Sequence, residues 1–141
     1  MNKAPAPKDI VLKMLKEDHF SKWLNLELMA ISKGSCTLSM KVTKIMLNGF
    51  QIAHGGICYS LADSCLAFAA NSYGFISYSI NTSIKHLVKV NEGDTLIATS
   101  KEKHLSNKNI KYEISIENQL NELVAVFTGE AHVSSRIWTV D

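Results

Sequence analysis

The sequence lacks the short motifs that mark most cofactor-binding and hydrolytic proteins. No two of its seven glycines are two residues apart, so the GxGxxG loop that binds dinucleotides is absent, as is the GxxxxGK phosphate loop. No two glycines are four residues apart, which excludes the GxSxG turn of many serine hydrolases. The five histidines stand singly and no CxxC pair occurs, so we expect no metal site.

Long hydrophobic runs and strong charge are also missing. Asp63 interrupts the longest apolar segment, and residues 1–8 have no hydrophobic stretch, so we expect neither a membrane span nor a secretory signal. The formal net charge of +2 is too small to indicate a nucleic-acid partner. Cys58 and Cys65 would lie about 10 Å apart along one helix, too far for a disulfide. We therefore expect reduced thiols and a cytoplasmic protein.

The 141 residues suffice for one domain with its own core. We expect a flexible tail over residues 1–8 and a single domain over residues 9–141. Hydrophobic periodicity predicts a helix over 8–19, strands over 23–31 and 35–43, a long buried helix ending near 72–74, and strands over 76–88, 95–104, 110–116 and 123–134. This order predicts an α+β fold in which one antiparallel sheet wraps around the long helix.

The start of the long helix concentrates the functional information. The letters NGFQIAHGG stand at 48–56, and from Gly55 to Ser72 the one charged residue is Asp63. Glycines at a helix start leave backbone N–H groups free, and the helix dipole favours an anion, or the oxyanion that forms when a carbonyl is attacked. A buried carboxylate can be a cap or a salt-bridge partner. Asp63 lies two turns inside the helix with no Lys or Arg nearby in the segment, so we interpret it as functional.

The spacing of these groups has a consequence for assembly. Gly55 and Asp63 are eight residues apart, or about 12 Å along one helix. They cannot both touch one carbonyl carbon, because the contacts needed are about 3 Å. Two such helices packed around a two-fold axis would bring Asp63 of one subunit near Gly55 of the other. The sequence thus predicts a homodimer, at least, with a shared site.

Two other groups of residues have a functional alternative. His54 and Cys58 are four residues apart and could form a Cys–His pair, but a thiol among apolar neighbours is usually inert. A cluster of lysines is either a solvated hairpin edge, which we favour, or a landing place for a ligand's phosphates; it comprises Lys101, Lys103, Lys108 and Lys111.

The pattern Asn48-Gly49-x4-His54-Gly55-Gly56-x6-Asp63 resembles the hotdog-fold acyl-CoA thioesterases, and most of all the phenylacetate-degradation thioesterase (PaaI) group. SLAD at 60–63, FAANS at 68–72 and EGDTL at 92–96 are also similar to that group. The resemblance covers roughly residues 16–136. It implies the hotdog fold, hydrolysis of an acyl- or aryl-acetyl-CoA to free acid and CoA without a metal or redox cofactor, and dimers that pair into a tetramer.

The resemblance also implies catalytic roles for four residues. The Gly55 N–H would polarise the thioester carbonyl at the helix start. His54 and Asn48 would hold the loop or the thioester. Asp63 of the neighbouring subunit would activate water or attack the carbonyl directly.

Two further residues, Gly56 and Ser79, are expected to contact the substrate. Gly56 lies where the thioester approaches the helix. Ser79 matches a strand position that helps to place the water, but the choice depends on strand register. Alternation predicts one face with Ser77, Ser79, Asn81 and Ser83, and an opposite face with Ile76, Tyr78, Ile80 and Ile84.

Two alternative functions stay open. An enoyl-CoA hydratase of this fold carries Asp followed five residues later by His, a spacing that none of the five aspartates here shows. A non-catalytic acyl-CoA-binding or sensor module would have no need of the Asp63 carboxylate. Pocket width, and so the acyl group, is expected to depend on large side chains such as Phe50, Tyr59, Phe68 and Tyr78.

We predict that the protein contains no monomer at micromolar concentration. The separation of Gly55 and Asp63 along one helix is the reason, because a complete site then needs two chains. Gel filtration or light scattering measures the oligomeric state. An active, strictly monomeric species would contradict the shared site.

Overall fold

A computed structural model describes residues 3–141 of the protein. Its elements, in chain order, are helices α1 (Pro7–Glu17) and α2 (His19–Trp23), strands β1 (Glu27–Ser32) and β2 (Ser35–Lys41), a 3₁₀ turn (Lys44–Met46), helix α3 (Gly55–Asn71), and strands β3 (Phe75–His86), β4 (Thr95–Leu105), β5 (Asn109–Glu117) and β6 (Leu123–Ile137). The predicted α+β hotdog architecture is confirmed. Among the described residues, no helix is long and apolar enough to cross a membrane.

The six strands form one antiparallel sheet in the order β1-β2-β4-β5-β6-β3. Helix α3 contacts every strand of this sheet, so its apolar side chains fill the core. Leu61, Leu66 and Phe68 are fully buried. One face of the helix stays half-exposed; it consists of Gly56, Tyr59, Ser60, Asp63, Ser64 and Ala67. The strand nearest to the Asp63 side of this face, β3, is an edge of the sheet.

The N-terminal region differs from the prediction of one helix followed by a strand from residue 23. Asp18 ends α1 and caps a second short helix, because its carboxylate accepts hydrogen bonds from the Ser21 N–H (2.9 Å) and hydroxyl (2.6 Å). Trp23 therefore ends a helix, and strand β1 begins only at Glu27. Helix α1 begins at Pro7, a residue suited to the first helical turn, so residues 7 and 8 of the predicted tail are helical. Residues 1 and 2 lie outside the described part.

A β-bulge in β3 changes which side chains face the helix. Ser79 pairs with Ala131, but Asn81 pairs with the adjacent residue, Glu130, so one extra residue stands between them at Ile80. Before the bulge, Ser77 and Ser79 face α3. After it the parity of the faces is reversed.

The hydrogen bonds of β3 show this reversal. Thr82 faces α3 and bonds to the Tyr59 hydroxyl (2.7 Å), whereas Ser83 turns outward to Thr128 on β6 (2.8 Å). The prediction that serines 77, 79 and 83 share one face is therefore wrong for Ser83. The alternation of residues along β3 cannot reveal the bulge. Polar and apolar residues occur on both faces of this strand, so the inserted residue does not visibly break the pattern.

Asn71 fastens the end of α3 to the start of β3. Its side-chain oxygen accepts from the Ser77 N–H (2.9 Å) and the Trp138 indole N–H (2.8 Å). Its amide nitrogen donates to the Ser77 carbonyl (2.8 Å). These bonds of a buried amide fix the height of β3 along the helix, and with it the position of Ser79.

Gly129 lets the sheet approach the helix closely. A Cβ built on it would lie 2.2 Å from Leu66 Cδ1 and 2.9 Å from Phe127 Cε1, both in fully buried side chains. We predict that Gly129→Ala destabilises the protein by about 1–3 kcal/mol, because an overpacked core must shift. Urea denaturation measures this change. Gly49→Ala is the matched control, since nothing lies within 4 Å of its added Cβ; equal midpoints for the two variants would contradict the packing argument.

Candidate functional site

The loop before α3 is fastened at several points. The Asn48 side-chain oxygen accepts from the Phe50 N–H (2.9 Å), and Gln51 adopts a left-handed φ of 65° that completes the turn. The Ala53 N–H donates to the Val90 carbonyl (2.8 Å), and the His54 N–H donates to that of Met46 (2.8 Å). Asn48 thus shapes the loop, which agrees with one of its two predicted tasks.

His54 caps the helix and leaves one backbone donor free. Its Nδ1 accepts from the Gly56 N–H (2.9 Å), so the ring proton of the neutral imidazole sits on Nε2. Among the described residues the Gly55 N–H has no hydrogen-bond acceptor. Of the two glycine donors, Gly55 is therefore the one available to a ligand at the positive end of the helix dipole. Its catalytic role stays a prediction.

Asp63 is held in an unfavourable environment for a charge. Its Oδ1 is buried and has no hydrogen-bond partner among the described residues. Burial raises the pKa of this carboxyl above its ordinary value, and hydrogen bonding by Ser79 partly opposes the rise. A cap or a salt bridge would have lowered the pKa instead. Ser79 precedes the bulge and lies on the side of β3 that faces the helix. The structure therefore brings it to Asp63, which lies opposite on α3.

The Cys–His alternative finds no support in the geometry. Cys58 is buried, and burial raises the pKa of its thiol to about 11, so the nucleophilic thiolate is scarce at neutral pH. The His54 Nδ1 that could serve as its base is occupied by the Gly56 N–H.

His86 is a site residue that the sequence did not single out. It is the last residue of β3 and lies after the bulge, on the helix side. Its Nε2 is 3.4 Å from the position that a Cβ on Gly55 would occupy. Its place beside the helix start depends on the bulge, which is why periodicity alone does not find it.

Two cavities flank the helix start, and we name them by their linings. The aromatic cavity (290 Å³) lies beside Phe20, Trp23, Ile45, Leu47, His54 and Gly56. The polar cavity (270 Å³) lies beside Asn48, His54, Gly55, Cys58, His86 and Lys89. His54 belongs to both, whereas Asp63 lines neither.

The residues expected to set pocket width line neither cavity. Phe68 is in the core, Phe50 is 84% exposed, Tyr59 bonds to Thr82, and Tyr78 stacks on His132 on the outer face of the sheet. The aromatic rings beside the helix start come instead from α2.

Two further cavities hold none of the candidate site residues. One of them (770 Å³) lies at the far end of α3, beside Tyr73 and Phe75. Another, on the outer face, is lined by Lys103 and Lys111 together with Glu113 and other residues. The four lysines of the cluster are exposed, and their role stays a prediction.

Comparisons with known proteins find relatives of this chain. The sequence profile of the Thioesterase superfamily matches residues 50–125. "Acyl-coenzyme A thioesterase PaaI" of Escherichia coli (strain K12) is 37% identical over 119 residues, which cover 84% of this chain and 85% of that protein. A "Putative esterase" of Archaeoglobus fulgidus is 34% identical over a match that covers 84% of this chain and 77% of that protein.

Solved structures show the same likeness. The structure of the E. coli PaaI protein superposes with a TM-score of 0.91 at 34% identity, covering 94% of this chain and 96% of that one. A Streptococcus mutans protein bound to acetyl-CoA superposes with a TM-score of 0.78 at 26% identity, covering 81% and 92%.

We predict that Asp63→Asn stabilises the protein at neutral pH. Because the pKa of Asp63 is raised in the folded state, the wild type loses stability as pH rises through that pKa, whereas the uncharged amide does not. The difference in urea midpoint should therefore be present at pH 7 and narrow as the pH falls through the raised pKa. Asp141→Asn, at the exposed C-terminus, is the control. A less stable Asp63→Asn at pH 7 would show that the carboxylate has a structural partner.

Proposed function

This chain belongs to the thioesterase superfamily, and we propose that it hydrolyses the thioester of an acyl- or aryl-acetyl-CoA to the free acid and CoA. Hydrolysis of an acyl-CoA follows from its close relation to a protein named as an acyl-CoA thioesterase. The aryl-acetyl group is the finer part of the proposal. It is supported by the likeness to a protein from a phenylacetic acid degradation operon and by the aromatic cavity beside the helix start.

The unpaired Oδ1 of Asp63 is the observation that carries the proposal. A carboxylate oxygen buried without a partner costs free energy, and nothing in the fold depends on it. Such a group fits a role in chemistry better than one in stability. It also disfavours a sensor or binding module, which would have no use for an unpaired carboxylate.

In the proposed mechanism, the thioester carbonyl oxygen accepts a hydrogen bond from the Gly55 N–H, and His54 orients the loop or the thioester. The Gly55 donor favours the charge that develops on this oxygen when the carbonyl carbon is attacked. Asp63 of the neighbouring subunit removes a proton from the attacking water, or attacks the carbon itself, and Ser79 holds that carboxylate. The tetrahedral intermediate then expels the CoA thiolate. With water as the nucleophile this gives the free acid directly, whereas direct attack leaves a mixed anhydride on Asp63, which water hydrolyses to the free acid and the carboxylate. These groups suffice without a metal or redox cofactor.

We also propose that the active unit is a dimer formed along β3, and that dimers pair into a tetramer. The outer edge of β3 carries backbone groups without a neighbouring strand. The half-exposed face of α3 adjoins it, and apart from Tyr59 its side chains are small enough for a second helix to lie close. A two-fold axis there would bring Asp63 of one chain toward Gly55 of the other.

A cytoplasmic location likewise stays a prediction.

Three substitutions should lower the rate of acyl-CoA hydrolysis to different extents. The rate is measured from the release of free thiol with a panel of acyl-CoAs. Asp63→Asn should lower kcat by about 10²- to 10⁴-fold, the range for a positioned acid–base group. Gly55→Val should abolish hydrolysis with the oligomer intact, because its side chain would crowd the thioester and His86. His54→Ala should be milder, about 5- to 150-fold, as for one lost orienting hydrogen bond.

Matched serine variants give the control for this series. Ser79→Ala should lower kcat, whereas Ser83→Ala, on the opposite face of the same strand, should leave it unchanged. A dead His54→Ala together with an active Gly55→Val would assign the chemistry to a histidine base instead.

A further inference from the structure

The two cavities at the helix start differ in chemistry. The lining of the aromatic cavity contains no Lys, Arg, Asp or Glu. The lining of the polar cavity contains Lys89 and two imidazoles, from His54 and His86, and no carboxylate. An acyl-CoA has the same asymmetry about its thioester, because the acyl group is apolar and the other arm ends in phosphates.

The two aromatic rings of the aromatic cavity contribute little to the core, although its lining also includes the buried core residues Met46 and Ile57. Phe20 and Trp23 are 54% and 49% exposed, and their ring centroids lie 5.9 Å apart on α2. Neighbouring half-exposed aromatic rings form an apolar patch of the kind that binds ligands. They stand next to the helix start, because the cavity that they line also touches His54 and Gly56.

Helix α2 is held at a fixed position against the central helix. The Ser21 hydroxyl lies 2.9 Å from that of Ser64, the residue after Asp63, and also bonds to the Asp18 cap. Ser21 itself is buried. The aromatic rings are therefore positioned by the same helix that carries the catalytic carboxylate.

We propose that the substrate lies across the helix start, with its acyl group in the aromatic cavity and the pantetheine arm of CoA in the polar cavity. Phe20 and Trp23 then determine acyl specificity, and Lys89 attracts the anionic arm. The volume of 290 Å³ is sufficient, since a dry cavity of about 150 Å³ binds benzene. His54, which lines both cavities, marks the thioester between them. This inference rests on the proposed function and adds the direction in which the substrate binds.

The test compares acyl preference with affinity for free CoA. In Trp23→Ala and Phe20→Ala, kcat/KM for phenylacetyl-CoA should fall about 10- to 100-fold, while acetyl-CoA is hydrolysed as by the wild type. The inhibition constant of free CoA should not change. Leu12→Ala, which removes a 51%-exposed side chain of α1 outside the cavity, is the matched control, and Trp23→Phe should restore most of the preference.

Lys89→Ala should give the converse result. The inhibition constant of CoA and the KM of both substrates should rise by about 2- to 5-fold, as for an exposed charge contact, with the acyl preference unchanged. The opposite pattern, in which Trp23→Ala weakens CoA and Lys89→Ala alters acyl preference, would reverse the orientation and overturn the proposal. Equal losses for both substrates in Trp23→Ala would also overturn it.

A binding measurement separates this inference from the proposed function. If the wild type hydrolyses no acyl-CoA, the proposed function fails, but the fluorescence of Trp23 in a Trp138→Phe background still reports on the cavity. Phenylacetyl-CoA should quench it and free CoA should not. Absence of quenching with a bound phenylacetyl-CoA would overturn the assignment of the cavity.

Discussion

The rest of the site depends on an unsatisfied carboxylate inside an apolar helix. Asp63 has one buried oxygen without a partner and a raised pKa, and the core around it gains nothing from the charge. The surrounding structure compensates in part through Ser79, which lies before the bulge in β3, on the side of the strand that faces the helix. Asn71 fixes the height of that strand with three hydrogen bonds. Several local features of the fold therefore serve to hold one group in an unfavourable state.

The helix start supplies the complementary charge. His54 accepts the Gly56 N–H and leaves that of Gly55 free, so one backbone donor at the positive end of the 17-residue helix is available to a ligand. The donor and the carboxylate lie on the same rigid helix and cannot meet. In the dimer that we propose, this separation makes self-association a condition of activity. The face of α3 beside the β3 edge carries small side chains apart from Tyr59 and leaves room for a second helix.

Sequence patterns predicted the features that depend on local periodicity and spacing. The long helix from Gly55, its buried character and the order of the strands follow from runs of apolar residues and from the glycines that bound them. The pattern from Asn48 to Asp63 predicted the candidate site, and its catalytic roles stay predictions. Two features escaped prediction, because each depends on contacts between distant segments. They are the extra residue at Ile80, which reverses the faces of β3, and the placement of His86 beside Gly55. The second helix also escaped prediction, although the Asp18 cap that begins it is a local contact with Ser21 that a capping signal in the sequence could have indicated.

The central proposal is that each site combines Gly55 of one subunit with Asp63 of another. Mixing two inactive variants tests it directly. If Asp63→Asn and Gly55→Val subunits are refolded together in equal amounts, half of the dimers contain one of each, and each of these has one intact site, so that about a quarter of wild-type activity should return. Activity that does not rise above that of the separate variants, although mixed dimers are shown to form, would place both groups in the same chain and contradict the account.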